Sequence, residues 1–328
     1  MIAPLDDFFT PLYGITSSYV VYNSRMQMAN STAGAPSLPG RVRRATREDA
    51  AAVQRLLRMG VYIHVHVDWR PPGEWLGHPG FVLYDDGSTA PRYRKADDRA
   101  IIGCMSVASD PPPAAGVRVE AVESVADFGH AQAMFDAILA DLDPAIKEIA
   151  WFLTDYWPLH WLERLGFVPI TDVLSYQKDD LSAASFRAPA GLHIRPLLME
   201  DLPALAEIET AAFEPRWRHD AADLQRAWRH SISFDVALLD GRPVGFQFST
   251  GGNGNAHLAR MTVHPARQGE GIGAALLAHA LEGYGRQNIK TATLNTQTEN
   301  AASRRLYERF GFHQTGHAYP VWSYFPGR

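Results

Sequence analysis

The sequence predicts an α/β protein built from two tandem copies of one unit. The chain has 328 residues, roughly twice the length of a common domain. Strand patterns and helix patterns are mixed in each half, and the two halves carry similar motifs in the same order. Each motif alone would be weak, but matches that keep their order along the chain indicate a duplication.

The repeated motifs mark the beginning and the end of each half. Residues 42–49 and 194–201 each form a short predicted strand followed by Glu-Asp at the start of an apolar-periodic helix. Residues 161–167 and 306–312 each end a helix at Gly before a further strand. Both halves also contain an apolar strand around an Ile-Gly or Val-Gly pair. We therefore expect the two halves to fold alike.

Segments rich in small residues and Pro set the predicted boundaries. Residues 1–40 start with aromatic side chains and end in linker composition, which predicts an extension and a tether. Residues 181–191 have a similar composition. The predicted domains are therefore residues 41–180 and residues 192–328.

Composition and charge exclude several classes of protein. The 46% apolar and 20% charged residues are typical of a globular chain, and a net charge of -5 argues against nucleic-acid binding. A single cysteine, Cys104, favours a reducing compartment. No apolar run is long enough for a membrane helix, and Asp6 and Asp7 are unlike a signal peptide. We expect a cytoplasmic protein without a membrane partner.

A glycine-rich turn in the second half predicts a phosphate-binding site. Residues 257–263 form a predicted strand, residues 264–273 a turn and residues 274–284 a helix. Gly269 and Gly271 carry no Cβ, so backbone N–H groups can approach phosphate oxygens closely. The helix N-terminus adds roughly half a positive charge. An anionic ligand is therefore expected at this turn.

Two alternatives compete with this interpretation. The spacing Gly269-x-Gly271-x-x-Ala274 also fits a loose dinucleotide fingerprint. That fingerprint belongs to the first turn of a domain, and it needs an acidic residue after the next strand, whereas residues 291–295 end without one. The other alternative is a glycine-rich loop that binds nothing.

A second motif downstream strengthens the first. Residues 268–273 have the pattern Gln-x-x-Gly-x-Gly, and residues 300–312 contain an Asn and then Leu-Tyr before Gly-Phe. Together the two motifs resemble the GNAT superfamily of acyl-CoA-dependent N-acetyltransferases. The resemblance covers residues 192–324 well and residues 41–178 only weakly.

This resemblance implies a fold and a cofactor site. Each domain would hold a mixed, mostly antiparallel central sheet flanked by helices. Backbone amides of the turn would bind the pyrophosphate of acetyl-CoA, and the pantetheine arm would pair with a strand end as an added strand does. The residues implied to contact acetyl-CoA are Met261, Val263, Gln268, Gly269, Glu270, Gly271, Ile272, Gly273 and Asn300.

The resemblance also implies catalytic residues. Tyr307 lies where many members place the hydroxyl that protonates the departing thiolate, and the alternative is an aromatic ring packed between helix and sheet. His257 lies where some members carry a general base, and the alternative is an exposed histidine at a strand end. A base is needed because an alkyl amine with a pKa near 10.4 is protonated at pH 7. Glu209 and Glu214 are rival bases.

The expected reaction is direct transfer of an acetyl group from acetyl-CoA to a primary amine. No cysteine of the second half could carry an acyl group, and no Ser–His–acid arrangement is visible near the turn. Phe213 and Trp217 are predicted to wall the amine pocket, with plain packing as the alternative. The acceptor is either a small molecule or a peptide. A non-catalytic acyl-CoA-binding module is the alternative from a different class.

The first half departs from the cofactor motif. Gly129 alone stands in for three glycines. Glu120, Glu123 and Asp127 add negative charge where a pyrophosphate would lie. We therefore predict a degenerate copy that supports the second domain or shapes its acceptor site, with a retained ligand-sensing pocket as the alternative.

Metal binding and assembly are less constrained by the sequence. His64 and His66 alternate on a predicted strand, which fits a half-exposed strand better than a metal pair, so no metal is predicted. Tandem copies can imitate a dimer within one chain. A monomer is therefore expected, and a homodimer stays open.

Overall fold

The computed structural model describes residues 41–66, 69–87, 101–109, 111–123, 128–182 and 184–328. Within these ranges the chain forms thirteen strands and seven α-helices. The predicted extension, residues 1–40, lies outside the described residues. No helix in the described ranges has the length and apolar character needed to cross a membrane.

Most strands of the first half precede its longest helix. Its elements in chain order are β1 (Arg41–Arg44), α1 (Ala50–Met59), β2 (Tyr62–Val65), β3 (Phe81–Asp85), β4 (Ile101–Ser109), β5 (Ala114–Val122), α2 (Phe128–Ala140), β6 (Glu148–Phe152), α3 (Leu159–Leu162) and β7 (Val168–Lys178).

The second half follows a similar order with an additional helix near its start. Its elements are β8 (Leu192–Pro196), α4 (Leu202–Ala212), α5 (Ala221–His230), β9 (Ser233–Leu239), β10 (Arg242–Gly252), β11 (Asn255–Val263), α6 (Ile272–Arg286), β12 (Thr291–Gln297), α7 (Ala301–Arg309) and β13 (His313–Tyr324).

The beginning of each half is held by the same contacts. Arg43 pairs with Asp49 at 2.6 Å, and Arg195 pairs with Asp201 at 2.7 Å. Each aspartate also accepts a hydrogen bond of 2.8 Å from the backbone N–H three residues before it, which fixes the turn from strand to helix. The guanidinium of Arg43 is the main reason that the pKa of Asp49 is lowered to about 2. The sequence repeat is thus a structural repeat at this point.

All described strands belong to one continuous sheet. The strand order is β1-β3-β4-β5-β6-β13-β7-β12-β11-β10-β9-β8, and β2 pairs with β5 beside this path. Neighbours run antiparallel except for two parallel pairs, β5 with β6 and β11 with β12. The predicted fold class, a mixed and mostly antiparallel sheet flanked by helices, is confirmed.

Helices cover both faces of the sheet in the second half. Val236 belongs to an apolar cluster with Leu205 of α4 and Leu224 of α5. The next residue, Ala237, belongs to a cluster with Leu276 of α6. Successive residues of a strand point to opposite faces. Helices α4 and α5 therefore lie on one face, and α6 lies on the other.

The final strands of the two halves are exchanged. Strand β13 of the second half lies between β6 and β7 of the first half, with Trp322 opposite both Trp151 and Pro169. Strand β7 of the first half lies between β13 and β12 of the second half. The sheet therefore passes from one half to the other through strands of both. The domain limits expected from the sequence stay a prediction.

A buried glutamate in β5 makes the stability depend on pH. Glu120 is fully buried, and neither carboxylate oxygen has a hydrogen-bond partner among the described residues. Burial raises the pKa of its carboxyl to about 8. An unfolded glutamate titrates near 4.3, so the folded chain binds the additional proton between these two values. The free energy of unfolding therefore falls as the pH rises through this window.

Replacing Glu120 with glutamine is expected to remove this pH dependence. At pH 9 the free energy of unfolding should rise by roughly 2 kcal/mol, because the buried charge is gone. At pH 5 the change should be small, since the wild-type carboxyl is already neutral. Urea unfolding at both pH values measures the difference, and Glu48→Gln, at an exposed position, is the control. An equal gain at both pH values would contradict the role of the charge.

Candidate active site

The two parallel strands of the second half separate partway along their length. Strand β11 pairs with β12 only from Asn255 to Leu258. Beyond this point residues 259–263 of β11 continue beside β10, from Arg260 opposite Phe248 to Val263 opposite Gly245. Among the described strands, none pairs with this stretch on the β12 side. An opening therefore begins after Leu258, between the two strands.

The backbone of Met261 and Val263 faces this opening. In an antiparallel pair, residues alternate between those bonded to the neighbouring strand and those that turn their N–H and C=O groups away from it. His264 donates its backbone N–H to the carbonyl of Val244 at 2.9 Å. His264 and Thr262 are therefore the residues that turn their backbone groups toward β10. Met261 and Val263 therefore turn their backbone groups away from β10. The Val263 carbonyl accepts a hydrogen bond of 3.1 Å from the Gln268 side chain.

The glycine-rich turn lies at the end of β11, next to the opening. Gly269 and Gly271 have φ values of 81° and 91°, in the left-handed region that disfavours other residues. Gly271 is the N-cap of α6, which has fifteen residues. The first N–H groups of that helix have no partner within the helix itself, so they can bind an anion. The predicted strand, turn and helix are therefore present in the expected order.

The other residues of the turn have distinct environments. Gln268, Gly269 and Glu270 are exposed, whereas Ile272 is buried and anchors the helix start. Glu270 pairs with Arg267 at 3.5 Å, which offsets its negative charge beside the helix N-terminus. A Cβ on Gly273 would lie 3.4 Å from Leu306 of α7, so the turn packs closely on that helix.

Tyr307 lies on α7 and is buried. Its ring is 6.4 Å from the Tyr176 ring and 6.0 Å from the Phe312 ring. Burial raises the pKa of its hydroxyl to about 12, against the opposing effects of Ser303 and of the Arg260 charge. The hydroxyl therefore keeps its proton at neutral pH. Asn300 caps α7 by accepting the Ser303 N–H at 3.2 Å, and its implied place in the cofactor channel stays a prediction.

A cluster of charged groups covers β11 on the α4 face. Glu209 of α4 is fully buried and accepts hydrogen bonds from Thr262 at 2.6 Å and from Arg260, with both Nε and Nη2. Arg260 also donates to the Trp217 carbonyl. The pKa of Glu209 is lowered to about 2, because Arg260 and His219 outweigh the cost of burial. Glu209 is thus a weak base at neutral pH.

The loop that follows α4 carries the two residues predicted to wall an amine pocket. The guanidinium of Arg260 lies 3.7 Å from the centre of the Phe213 ring. The Trp217 ring lies 4.9 Å from Phe152 of β6. Arg216 pairs with Glu148 of β6 at 2.8 Å. The loop therefore packs against the first half of the chain, while the wall function of Phe213 and Trp217 stays a prediction.

The two other predicted proton acceptors have other side-chain partners. His257 lies where β11 is still paired with β12, and its Nδ1 is 2.9 Å from the Thr293 hydroxyl. Burial lowers the pKa of His257 to about 4, so the ring is neutral at pH 7. Glu214 is largely exposed and lies 3.3 Å from Arg216. Their catalytic roles stay predictions.

The corresponding opening of the first half is filled by the chain itself. Strand β5 pairs with β6 only from Ala114 to Gly116. Beyond this stretch β5 pairs with β2, with Val119 opposite Val65 and Val122 opposite Tyr62. Strand β2 follows α1 directly along the chain. A segment of this chain thus takes the position that the opening leaves free in the second half.

Two of the acidic residues expected beside the first-half turn are buried or paired with another residue. Glu120 is buried in β5, and Glu123 pairs with Arg55. Asp127 and Asp68 lie outside the described residues. His64 is buried with its Nε2 3.3 Å from the Val117 carbonyl, which differs from the half-exposed strand expected here. Among the described residues, no group of three or more His, Cys, Asp or Glu side chains could hold a metal ion.

Comparison with known proteins agrees with this geometry. Residues 202–312 match the model of the acetyltransferase (GNAT) family. An N-acetyltransferase of Methanocaldococcus jannaschii is 34% identical over 122 residues, which span 36% of this chain and 76% of that protein. The chain belongs to the GNAT acetyltransferase family. It is therefore an N-acetyltransferase by family, and members of this family use acetyl-CoA.

Two further similarities extend over more of this GNAT protein. A mycothiol acetyltransferase of Streptomyces avermitilis is 26% identical over 202 residues, which span 57% of this chain and 65% of that protein. This chain is also similar to the solved structure of a tandem GNAT protein from the clavulanic acid biosynthesis pathway. The match spans 88% of this chain and 99% of that protein, with a TM-score of 0.57 and 14% identity. At that identity the similarity shows the fold. The tandem arrangement is thus shared by a known structure.

Proposed function

We propose that this chain transfers an acetyl group from acetyl-CoA to a primary amine, on a small molecule or a peptide, in a ternary complex. The observation that carries the proposal is the opening between β11 and β12, which ends at a left-handed glycine turn and the N-terminus of α6. A long anionic ligand with an amide-containing arm fits this combination.

Each part of the site would bind a different part of acetyl-CoA. Backbone N–H groups of residues 268–273 bind the pyrophosphate, which the α6 N-terminus also attracts. The outward backbone groups of Met261 and Val263 pair with the amides of the pantetheine arm. Acetyl-CoA supplies an activated acetyl group as a thioester. The thioester then lies beside residues 259–263, with Tyr307 on the α7 side.

The chemistry requires one proton donor and one proton acceptor. The amine nitrogen attacks the thioester carbonyl carbon, and the C–S bond breaks. Tyr307 gives its proton to the departing sulfur, and a base takes the proton that the amine loses. The hydroxyl of Tyr307 is protonated at neutral pH, so it has a proton to give. The sequence suggests His257 as the base.

An acyl-enzyme is not part of this proposal. The single cysteine, Cys104, is buried in β4 of the first half. Burial is the main reason that the pKa of its thiol is raised to about 12, which keeps it from forming a thiolate. Direct attack by the amine therefore needs no nucleophile from the protein.

The first half of the chain would bind no acetyl-CoA. Its opening is filled by β2, which already pairs with the β5 backbone that a pantetheine arm would need. Its role would instead be to support the loop that follows α4, through Phe152 and Glu148. One cofactor site per chain is thus expected.

Calorimetric titration of acetyl-CoA into the full-length protein tests this proposal. We expect binding at one site per chain with a dissociation constant in the micromolar range. This corresponds to a binding free energy on the order of -8 kcal/mol. A panel of primary amines, assayed for release of free CoA, then tests transfer. Two sites per chain would contradict the role given to β2. Binding without turnover of any amine would contradict the transferase proposal and favour an acyl-CoA-binding module.

A further inference from the structure

The two faces of β11 give the acid and the base different positions. Met261 packs with Leu306 and the apolar cluster around Tyr307 and α6. Thr262 points to the other face, where its hydroxyl donates to Glu209 of α4. A thioester beside this stretch would therefore meet Tyr307 from one face. The amine attacks the thioester carbon from a side other than the one on which the sulfur departs. If the sulfur departs toward Tyr307, the amine is expected to approach from the α4 face.

One histidine on the α4 face has the features of a positioned base. His219 lies in the loop before α5, and its Nδ1 is 3.4 Å from Oε2 of Glu209. Its backbone N–H donates to the same carboxylate oxygen at 3.3 Å. The ring packs at 6.3 Å from the Phe248 ring, and a quarter of the side chain is exposed. Nδ1 is thus held by a carboxylate, while part of the side chain stays exposed.

Burial and two nearby positive charges keep this histidine neutral. Burial is the main cause that lowers the pKa of His219, and the positive charges of Arg260 on β11 and Arg118 on β5 add to it. Glu209 on α4 acts in the opposite direction. His66, after β2, faces the same group, and the charge of a protonated His219 would lower the pKa of His66. At neutral pH the imidazole is therefore free to accept a proton.

We infer that His219 is the general base of the acetyl transfer, with Glu209 as the residue that positions its ring. This inference rests on the proposed function. Nε2 of His219 takes a proton from the ammonium group of the acceptor, directly or through one water, and the free amine then attacks the thioester as the C–S bond breaks. The second proton that the nitrogen loses replaces the proton that Tyr307 gives to the departing sulfur. Glu209 stays ionised, fixes Nδ1 and holds Arg260 at the same time. The proton leaves His219 to solvent after each turnover.

The structure favours His219 over His257 for a geometric reason. His257 lies where β11 and β12 are still paired, before the opening begins. His219 lies over the stretch of β11 that borders the opening, because its partner Glu209 binds Arg260 and Thr262. A base must lie within hydrogen-bond reach of the reacting nitrogen. His219 is tied through Glu209 to the stretch where the thioester is proposed to lie, whereas His257 lies on the paired stretch before it.

The test is the pH dependence of kcat/KM for the amine that reacts fastest in the panel above. The variants are His219→Gln, His257→Gln and the exposed His193→Gln as a control. For His219→Gln we expect a loss of about 100-fold at pH 7, in the range of general base catalysis. The loss should shrink about ten-fold per pH unit toward pH 9, because the fraction of free amine grows by that factor. Affinity for acetyl-CoA should stay unchanged.

A further variant separates positioning from folding. Glu209→Gln removes a charge that raises the pKa of His219. We expect the acidic limb of the profile to move to lower pH, together with a lower kcat. A purely structural role of Glu209 would lower the activity without moving that limb.

Each outcome points to one conclusion. A His219→Gln variant with the wild-type profile, or loss of the acidic limb in His257→Gln alone, would overturn the assignment of His219 and leave the proposed transfer intact. A wild-type protein that binds acetyl-CoA and acetylates no amine would overturn both.

Discussion

Replacing Gly271 with aspartate is expected to weaken acetyl-CoA binding by at least about 100-fold, or roughly 2.7 kcal/mol. Two effects combine in this variant. Gly271 has a φ of 91°, and a Cβ at this position would lie 2.7 Å from the Arg187 carbonyl oxygen, so the helix start must shift. The carboxylate would also repel the phosphates at the N-terminus of α6. Calorimetric titration measures the loss.

Two control variants separate these effects. Gly271→Ala adds the same Cβ without the charge, so the difference between the two variants isolates electrostatic repulsion. Gly285→Ala adds a Cβ near the other end of α6, where no atom lies within 4 Å, and should leave the affinity unchanged. Thermal unfolding of each variant checks that the fold is retained. A folded Gly271→Asp protein with wild-type affinity would mean that the phosphate loop is wrongly identified.

Replacing Tyr307 with phenylalanine is expected to lower kcat about ten-fold or more while the affinity for acetyl-CoA stays the same. The variant removes the hydroxyl that protonates the departing sulfur and keeps the buried ring that packs near Tyr176 and Phe312. Steady-state kinetics with the reactive amine, together with titration of acetyl-CoA, gives both quantities. A thiolate that must leave without a proton is the physical cause of the loss.

A second tyrosine of the same core provides the matched control. Tyr176 is fully buried, and its hydroxyl donates to Glu308 at 3.2 Å. Tyr176→Phe removes a buried hydroxyl of the same kind without touching the proposed acid. We expect kcat to stay near the wild-type value, with a loss of about 1 kcal/mol in the free energy of unfolding. Equal losses of kcat in both variants would assign Tyr307 to packing.

Local patterns in the sequence predicted much of the fold. The repeated Glu-Asp motif corresponds to the Asp49 and Asp201 turns, which bind an arginine six residues earlier in the same way. The strand, glycine turn and helix around Gly271 also follow from residue type and spacing. These features depend on interactions between near neighbours in the chain, so a single sequence contains the information needed to predict them.

Contacts between distant segments could not be predicted from the sequence. Glu209 and Arg260 are 51 positions apart, and no local pattern indicates that they meet. The sequence singled out Phe213 and Trp217 in the loop after α4 but not His219, whose role depends on Glu209 as a partner. Glu209 itself was expected as a rival base. Its contacts with Arg260 and His219 lower its pKa to about 2, so it is a poor proton acceptor at neutral pH. The aromatic residues of the loop, with Glu209 and Glu214, were the signals that pointed to this region.

The filled opening of the first half was missed for a similar reason. Strand β2 has four residues, and its short apolar pattern does not reveal which strand it joins. The pairing of β2 with β5 arises between segments more than fifty residues apart along the chain. The missing glycines predicted that the first half is a degenerate copy. They gave no indication that another segment of the chain fills its opening.

The exchange of β7 and β13 affects how the protein can be made. During synthesis the first half emerges before β13 exists, so β6 lacks the neighbour that later separates it from β7. An unpaired strand edge is a template for association with other chains. We therefore expect the two halves to complete their folding together rather than one after the other. Fragments divided near residue 185 are expected to complete each other when produced together, and to aggregate when produced alone.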